Sequence, residues 1–367
     1  VFSLRVLTDS RVLVSLRHAE QTSTMQPVNM NSEAELDEWL TRPRPVLVGA
    51  IRGLSSPLVI LGGGGKMGPS LAVLARRAAV EAGHPLEVIV VSRFRDVGVR
   101  GWLEGRGVHT LAADLLDPQA YGGLPDAGNV AYLVGLKFGT SRDPASTWVA
   151  NTLIPARVSE RYAKARITAL STGNVYPFSS VEGSGAVETD PLTPVGEYAN
   201  AAVARERIFE WFSRERGIRV SLLRLSYAVD LRYGVVVDIA QRVARGEPVD
   251  LSNGHFNCIW QGDANEAVLR SFELAATPAT AWNLCRPEAF SVRETALAFG
   301  RIFGREVRFE GTPGETALLS NTSKLSSVLG DPSVSFETLL RWVAHWVAHG
   351  GRSLGKPTHF ENRDGHY

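Results

Sequence analysis

The chain has 367 residues, 44% of them hydrophobic and 21% charged, with a formal net charge of +1. Such a length and balance describe an ordinary globular protein with room for more than one lobe, and the near-zero charge argues against a nucleic-acid or anionic-membrane partner. Two cysteines, Cys258 and Cys285, with no Cys-x-x-Cys, argue against a disulfide framework or zinc ribbon and fit a reducing cytoplasm, and no apolar run approaches the roughly 20 residues of a membrane-spanning helix.

In chain order, Val1 to Thr24 mix Ser, Arg and Val without a period, and Leu13-Val14-Ser15-Leu16 is too short for a signal-peptide core. The expectation is a natural start at Met25 or Met30, with residues 1–28 disordered. Ser32, with Glu35 three positions later, reads as a helix N-cap. The helix should run to about Leu40 and stop before Pro43, its run of Glu33, Glu35, Asp37 and Glu38 a solvated face. A second short helix is expected over Val46 to Leu54. Residues 1–55 thus form an N-terminal helical appendage.

Next comes Leu58-Val59-Ile60-Leu61, then Gly62-Gly63-Gly64-Gly65-Lys66-Met67-Gly68, then Leu71, Leu74, Ala75 and Ala78 at helical spacing. Strand, glycine turn and helix in that order suit a dinucleotide. Glycine lets the backbone approach a pyrophosphate, and the helix N-terminus offers unpaired N–H groups. Gly62, Gly65, Lys66, Met67 and Gly68 are the residues expected there.

Strands are predicted at Leu58–Leu61, Glu87–Ser92, Val130–Val134, Ile167–Leu170 and Arg219–Leu225, with helices at Pro69–Ala82, Ser146–Ala165 and Val195–Arg216. A third strand should precede Asp114. This alternation predicts an α/β protein with a Rossmann-like, doubly wound parallel sheet, whose ligands sit beyond the carboxyl ends of the strands. After Tyr227 the pattern loosens into a smaller C-terminal substrate lobe, with a late strand near Val307–Phe309 and an amphipathic helix over Phe336 to Ala348. The boundaries read as 56–226 for the nucleotide domain, 227–350 for the lobe and 351–367 for a polar tail, loose or draped over the protein. His345 and His349 have a spacing that could bind zinc, but no Glu follows His345; a packing helix is the simpler reading, and no metal site is expected.

The second strand ends Val91-Ser92-Arg93. An NAD site usually carries an acidic residue here; Ser92 and Arg93 suit a 2′-phosphate instead, tilting NAD or NADP toward NADP, although Arg93 could also be a solvated surface residue. Asp114, followed by Leu115, could cap the adenine or serve as a helix-cap carboxylate.

These motifs together resemble the extended short-chain dehydrogenase/reductase superfamily and, within it, the NAD-dependent epimerase/dehydratase family of UDP-glucose/galactose 4-epimerase-like proteins. The glycine loop is similar to that family's Gly-x-x-Gly-x-x-Gly at Gly62, Gly65 and Gly68. Val134-Gly135-Leu136-Lys137 is similar to its segment after the fourth strand, bordering nicotinamide and sugar, and Asn151 to the Asn of the following helix. Ser171, Thr172, Val175 and Tyr176 resemble its Ser-Ser/Thr-x-x-Val-Tyr segment, and Tyr198 its active-site Tyr. Gly246-Glu247-Pro248, Asp263 and Val292-Arg293-Glu294 continue the likeness, which covers roughly residues 57 to 347. It implies a sugar-modifying hydride enzyme, a homodimer built on the helices around 146–165 and 195–216, a catalytic Tyr198, and Ser171 or Thr172 hydrogen-bonding the forming carbonyl.

The departures carry as much meaning. The family's Tyr is followed four residues later by a Lys that holds the nicotinamide ribose and acidifies the phenol; Ala202 stands there. An unassisted phenol titrates near about 10 and is a poor base at neutral pH. Three readings follow: a nucleotide-binding regulator or sensor that has lost catalysis, chemistry needing no strong base, or a substitute cation. Lys137, at the end of a strand, is the candidate substitute; it could instead contact a substrate anion or be solvated. Gly173 and Asn174 replace the dehydratases' Asp and Glu, and Phe256–Gln261 lacks the Arg of the sugar-nucleotide enzymes. A free sugar, sugar acid or polyol derivative is therefore expected as substrate, with Asn174, His255, Asn257 and Trp260 as candidate pocket residues; each could equally be a core or turn residue.

Overall fold

The computed structural model describes residues 26–137, 139 and 142–365. The expectation for residues 1–24 lies outside them. Gln26 and Pro27, expected to be disordered, are held instead: Gln26 Nε2 donates to Ser333 O and Trp342 Nε1 donates to Pro27 O.

Two helices come first, α1 (Glu33–Leu40) and α2 (Pro45–Ile51). Ser32 Oγ accepts from Glu35 N, and Glu35 Oε2 accepts in return from Asn31 N, so orphan donors at the start of α1 are satisfied by side chains. The chain then alternates β1 (Leu58–Leu61), α3 (Gly68–Glu81), β2 (Val88–Ser92), α4 (Val97–Glu104), β3 (His109–Ala112), β4 (Asn129–Tyr132), α5 (Pro144–Arg161), β5 (Arg166–Thr172), α6 (Glu197–Arg216) and β6 (Arg219–Leu225). Strand β7 (Thr280–Leu284) comes from within the stretch read as the substrate lobe.

These seven strands form one parallel sheet in the order β7-β6-β5-β4-β1-β2-β3. The chain steps outward from β1 through β2 to β3, then returns to β4 on the other side of β1, with Leu58 facing both Val88 and Asn129. That reversal opens a crevice beyond Leu61 and Tyr132, where ligands of such sheets bind. Alternation along β1 explains the two covered faces. Leu58 and Ile60 pack with Leu71 and Leu74 of α3 and with Leu47 and Ile51 of α2. Val59 and Leu61 pack with Ile154 and Val158 of α5 and Phe209 and Phe212 of α6.

The remaining helices are α7 (Val235–Arg245), α8 (Gln261–Arg270), α9 (Val292–Phe303), α10 (Ser323–Leu329) and α11 (Phe336–Ala348). A separate core joins Val236 and Ile239 of α7, Phe299 of α9 and Trp342 of α11 to Met30, Leu36 and Leu40. The two N-terminal helices are thus shared, α1 by the lobe core and α2 by the sheet core. The tail is draped: Phe360 is buried in the lobe core, and Thr358 donates through N and Oγ1 to Asp238 Oδ2 at 2.7 and 2.6 Å. Among the described residues no helix is long and apolar enough to cross a membrane.

Candidate active site

The chain leaves β1 at Gly62, whose φ of +77° lies in the left-handed region. A Cβ there would meet Val134 Cγ2 at 2.9 Å, and one on Gly68 would overlap the backbone of Gly63. Only glycine allows strand, turn and helix to come so close. Gly65 is different: it is exposed, and the nearest atom to an added Cβ is Gly62 O at 3.6 Å, so the loop is open toward the crevice. Helix α3 has no side-chain N-cap, which leaves its first N–H groups and the positive end of its dipole to an anion. This cradle fits a dinucleotide pyrophosphate.

The crevice has two halves. The outer half, about 640 Å³, is lined by Gly62, Gly65, Ser92, Arg93, Asp114, Leu115, Val134 and Gly135, joined by Arg95 and Asp96. Both carboxylates there serve the backbone: Asp96 accepts from Gly98 N at 2.9 Å and Asp114 from Leu116 N at 3.0 Å. The inner half, about 420 Å³, is lined by Lys66, Met67, Gly68, Lys137, Ser171, Thr172, Asn174 and Tyr198. Gly62, Gly65, Leu133 and Gly135 border both halves, making one continuous cleft.

The inner half brings two ammonium groups to the tyrosines. Lys137 Nζ lies 5.9 Å from the ring centroids of both Tyr198 and Tyr227, within reach of the negative ring faces. Burial pushes the Lys137 ammonium down to about 8. Lys66 Nζ sits 3.0 Å from the Tyr233 ring centroid. Burial, then repulsion from Lys137 and Lys356, push Lys66 down to about 7, against the attraction of Asp238. The two hydroxyls at the end of β5 have different partners. Thr172 Oγ1 donates to Asn174 Oδ1 at 2.9 Å and accepts from Asn174 N. Ser171 Oγ donates to Glu206 Oε1 behind the cleft wall.

Glu206 belongs to a buried ion pair that fixes this wall. Arg224 Nε and Nη2 donate to its carboxylate at 3.1 and 2.7 Å, and Arg224 Nη1 donates to Tyr176 Oη at 2.7 Å. Burial alone would lower the Arg224 guanidinium, but hydrogen bonding and attraction from Glu206 outweigh it and hold Arg224 charged. On the same helix Arg205 Nη1 donates to Asn151 Oδ1 and Val134 O, tying α5 to the segment that leads to Lys137. Ala202 is fully buried beside Val175 and Tyr176.

Three of the pocket candidates lie elsewhere. His255 pairs with Ser291 in a short antiparallel ladder. Asn257 bridges Glu288 O and Ser320 N, and Trp260 packs edge-on against Trp342 in the lobe core. Sequence reasoning missed Ser226 and Tyr233, which line the inner half, and Lys356, which lines the outer half. No motif marks them, because all three follow Leu225, where the regular alternation of strand and helix ends. His345 Nε2 lies 2.9 Å from Asn31 Oδ1, and no group of three metal-ligating side chains occurs among the described residues.

Residues 58–251 match the model of the NAD dependent epimerase/dehydratase family. Among solved structures, UDP-glucose 4-epimerase of Thermotoga maritima is 20% identical with a TM-score of 0.66, covering 80% of this chain and 99% of its own. The Thermus thermophilus UDP-glucose 4-epimerase, solved with NAD, is 22% identical with a TM-score of 0.64, covering 79% and 98%. The dTDP-glucose 4,6-dehydratase of Bacillus anthracis, also with NAD, is 12% identical with a TM-score of 0.67, covering 80% and 97%. No curated protein sequence matches the chain.

Proposed function

This chain belongs to the NAD dependent epimerase/dehydratase family, and from that membership we propose that it is an NAD(P)-dependent epimerase or oxidoreductase acting on a sugar-like alcohol. The observation that carries the reading is that Tyr198, Thr172 and Lys137 line one end of a cleft whose other end lies beyond the glycine loop. A nicotinamide bound there supplies the group that takes up and returns hydride. Tyr198 moves the proton of the reacting hydroxyl at its phenol oxygen. Thr172 donates a hydrogen bond to that oxygen as it becomes a carbonyl, exchanging its Asn174 acceptor for the substrate. Ser171, engaged with Glu206, holds the end of β5 in position. The Lys137 ammonium favours the ionised phenol, taking over part of the role left empty at Ala202. Asn174, Ser226 and Tyr233 suit the hydroxyls of a free sugar, sugar acid or polyol.

Two finer points extend the reading, one on the cofactor and one on assembly. Ser92, Arg93 and Arg95 line its outer half with no acidic residue at the end of β2, which supports NADP over NAD. Val149 and Leu153 of α5 and Trp211 of α6 remain 38%, 45% and 46% exposed, which supports a homodimer through these helices.

The test is to add free sugars, sugar acids and polyols to protein plus dinucleotide, reading reduced-nicotinamide absorbance together with product stereochemistry. Conversion of one compound class is expected. A chain that binds dinucleotide and leaves every compound unchanged is a sensor, and the proposal fails.

Lys137 gives a pH prediction. With its ammonium titrating at about 8, the charge beside Tyr198 is present below that pH and lost above it. Turnover should therefore decline as pH rises through this window. Lys137→Met should lower kcat/KM by roughly tenfold or more and remove that decline. A pH profile of the variant that keeps the wild-type shape would discard Lys137 as the substitute cation.

A further inference from the structure

The C-terminal tail crosses between fixed points beside the cleft, which Lys356 lines. On one side Leu354 N donates to Arg232 O at 2.9 Å, and Arg232 is itself clamped to Asp230. On the other side Thr358 is fully buried and holds Asp238 through two short hydrogen bonds. Beyond that, Phe360 is buried and Arg363 Nη2 donates to Thr316 Oγ1 at 2.7 Å. Gly365 finally packs against Gly196, the residue before helix α6 and two before Tyr198. Only Gly355, Lys356 and Pro357 are exposed in the crossing, and Lys356 lines the same half of the cleft as Gly62 and Gly65.

The electrostatics of this corner are one-sided. Lys66, Lys137 and Lys356 lie close enough for the last two to repel the first, and Asp238 is the carboxylate that attracts Lys66. Asp96 and Asp114 line the outer half but are tied to backbone N–H groups. Lys356 is the exposed lysine of the three, while burial lowers Lys66 and Lys137, and a cationic corner beside an open helix N-terminus suits an anion.

We propose that Lys356 is a dinucleotide-binding residue: the tail straps the cleft and delivers this ammonium to the cofactor's pyrophosphate, opposite the glycine loop. The assignment rests on the dinucleotide reading above. A lysine suits this place because phosphate accepts a point charge from any direction, so an exposed, short crossing suffices to position it.

Calorimetric titration of the full chain with NAD and with NADP tests this, using wild type, Lys356→Ala and Lys356→Arg. Lys356→Ala should weaken both dinucleotides about tenfold and flatten the salt dependence of binding, while Lys356→Arg stays within about twofold of wild type. Hydrogen exchange should show slower exchange at residues 354–356 when dinucleotide is added to wild type. Equal affinities of wild type and Lys356→Ala would overturn the assignment and leave the cofactor reading standing. A loss confined to NADP would overturn it too, since the ammonium would then face the 2′-phosphate. A wild type that binds neither dinucleotide would overturn the cofactor reading and this assignment with it.

Discussion

Tyr198→Phe is expected to lower turnover by about 10²–10⁴-fold while leaving dinucleotide affinity within about twofold of wild type. The change removes one oxygen from the cleft wall and keeps the ring that faces Lys137. Binding and proton transfer should therefore separate in steady-state kinetics and titration. If Lys137 works through the phenol, adding Lys137→Met to Tyr198→Phe should cost little more, because groups that act as a unit are not additive. Fully additive losses would mean that Lys137 serves the substrate directly.

The second large effect concerns stability. Glu206 has no solvent exposure, and Arg224 is 3% exposed. Glu206→Ala would strand the guanidinium in the interior and leave Ser171 Oγ without its acceptor. A loss of about 3–5 kcal/mol is expected, read as a lower denaturant midpoint. Arg224→Met should cost a similar amount, since it strands the carboxylate. The pair Glu206→Leu with Arg224→Met should lose less than the sum of the singles, because no buried charge remains. It should not recover fully, as Tyr176 Oη and Ser171 Oγ would still have lost partners. A Glu206→Ala protein as stable as wild type would show that this ion pair does not hold the wall behind Ser171 and Thr172.

The fold was legible where local pattern and tertiary role agree. Leu58–Leu61 is an apolar run before a glycine turn, and Arg219–Leu225 carries Val220, Leu222, Leu223 and Leu225 after Gly217; both form strands over those residues. Phe336–Ala348 has the amphipathic period and a Ser335 cap, and it forms a helix with those ends. Strand β7 was not legible: Thr280-Ala281-Trp282-Asn283-Leu284 lacks alternation, and its pairing with β6 is set by a contact far away in sequence. The lobe's two-residue ladders, such as Phe309–Glu310 against Val249–Asp250, are too short to carry a period.

The site divides along the same line. Residues named from contiguous segments, from the glycine loop through Lys137 and Thr172 to Tyr198, line one cleft because a parallel sheet gathers the ends of its strands. His255, Asn257 and Trp260 have only their side-chain chemistry to suggest a pocket, and the lobe uses them for a ladder, a loop bridge and a core contact. The positions of Lys356 and Tyr233 depend on how the lobe and tail fold back over the sheet, which no local pattern records.

The most direct measurement is native mass spectrometry of the full chain with NAD and NADP, beside Gly65→Asp. That variant adds a carboxylate at the open point of the loop, where a Cβ meets nothing closer than 3.6 Å, so the fold should persist while phosphate is repelled. One dinucleotide per wild-type chain, lost in Gly65→Asp, is the expected result. A wild-type chain that takes up neither dinucleotide, or a Gly65→Asp chain that binds as wild type does, would contradict a cofactor held at this loop.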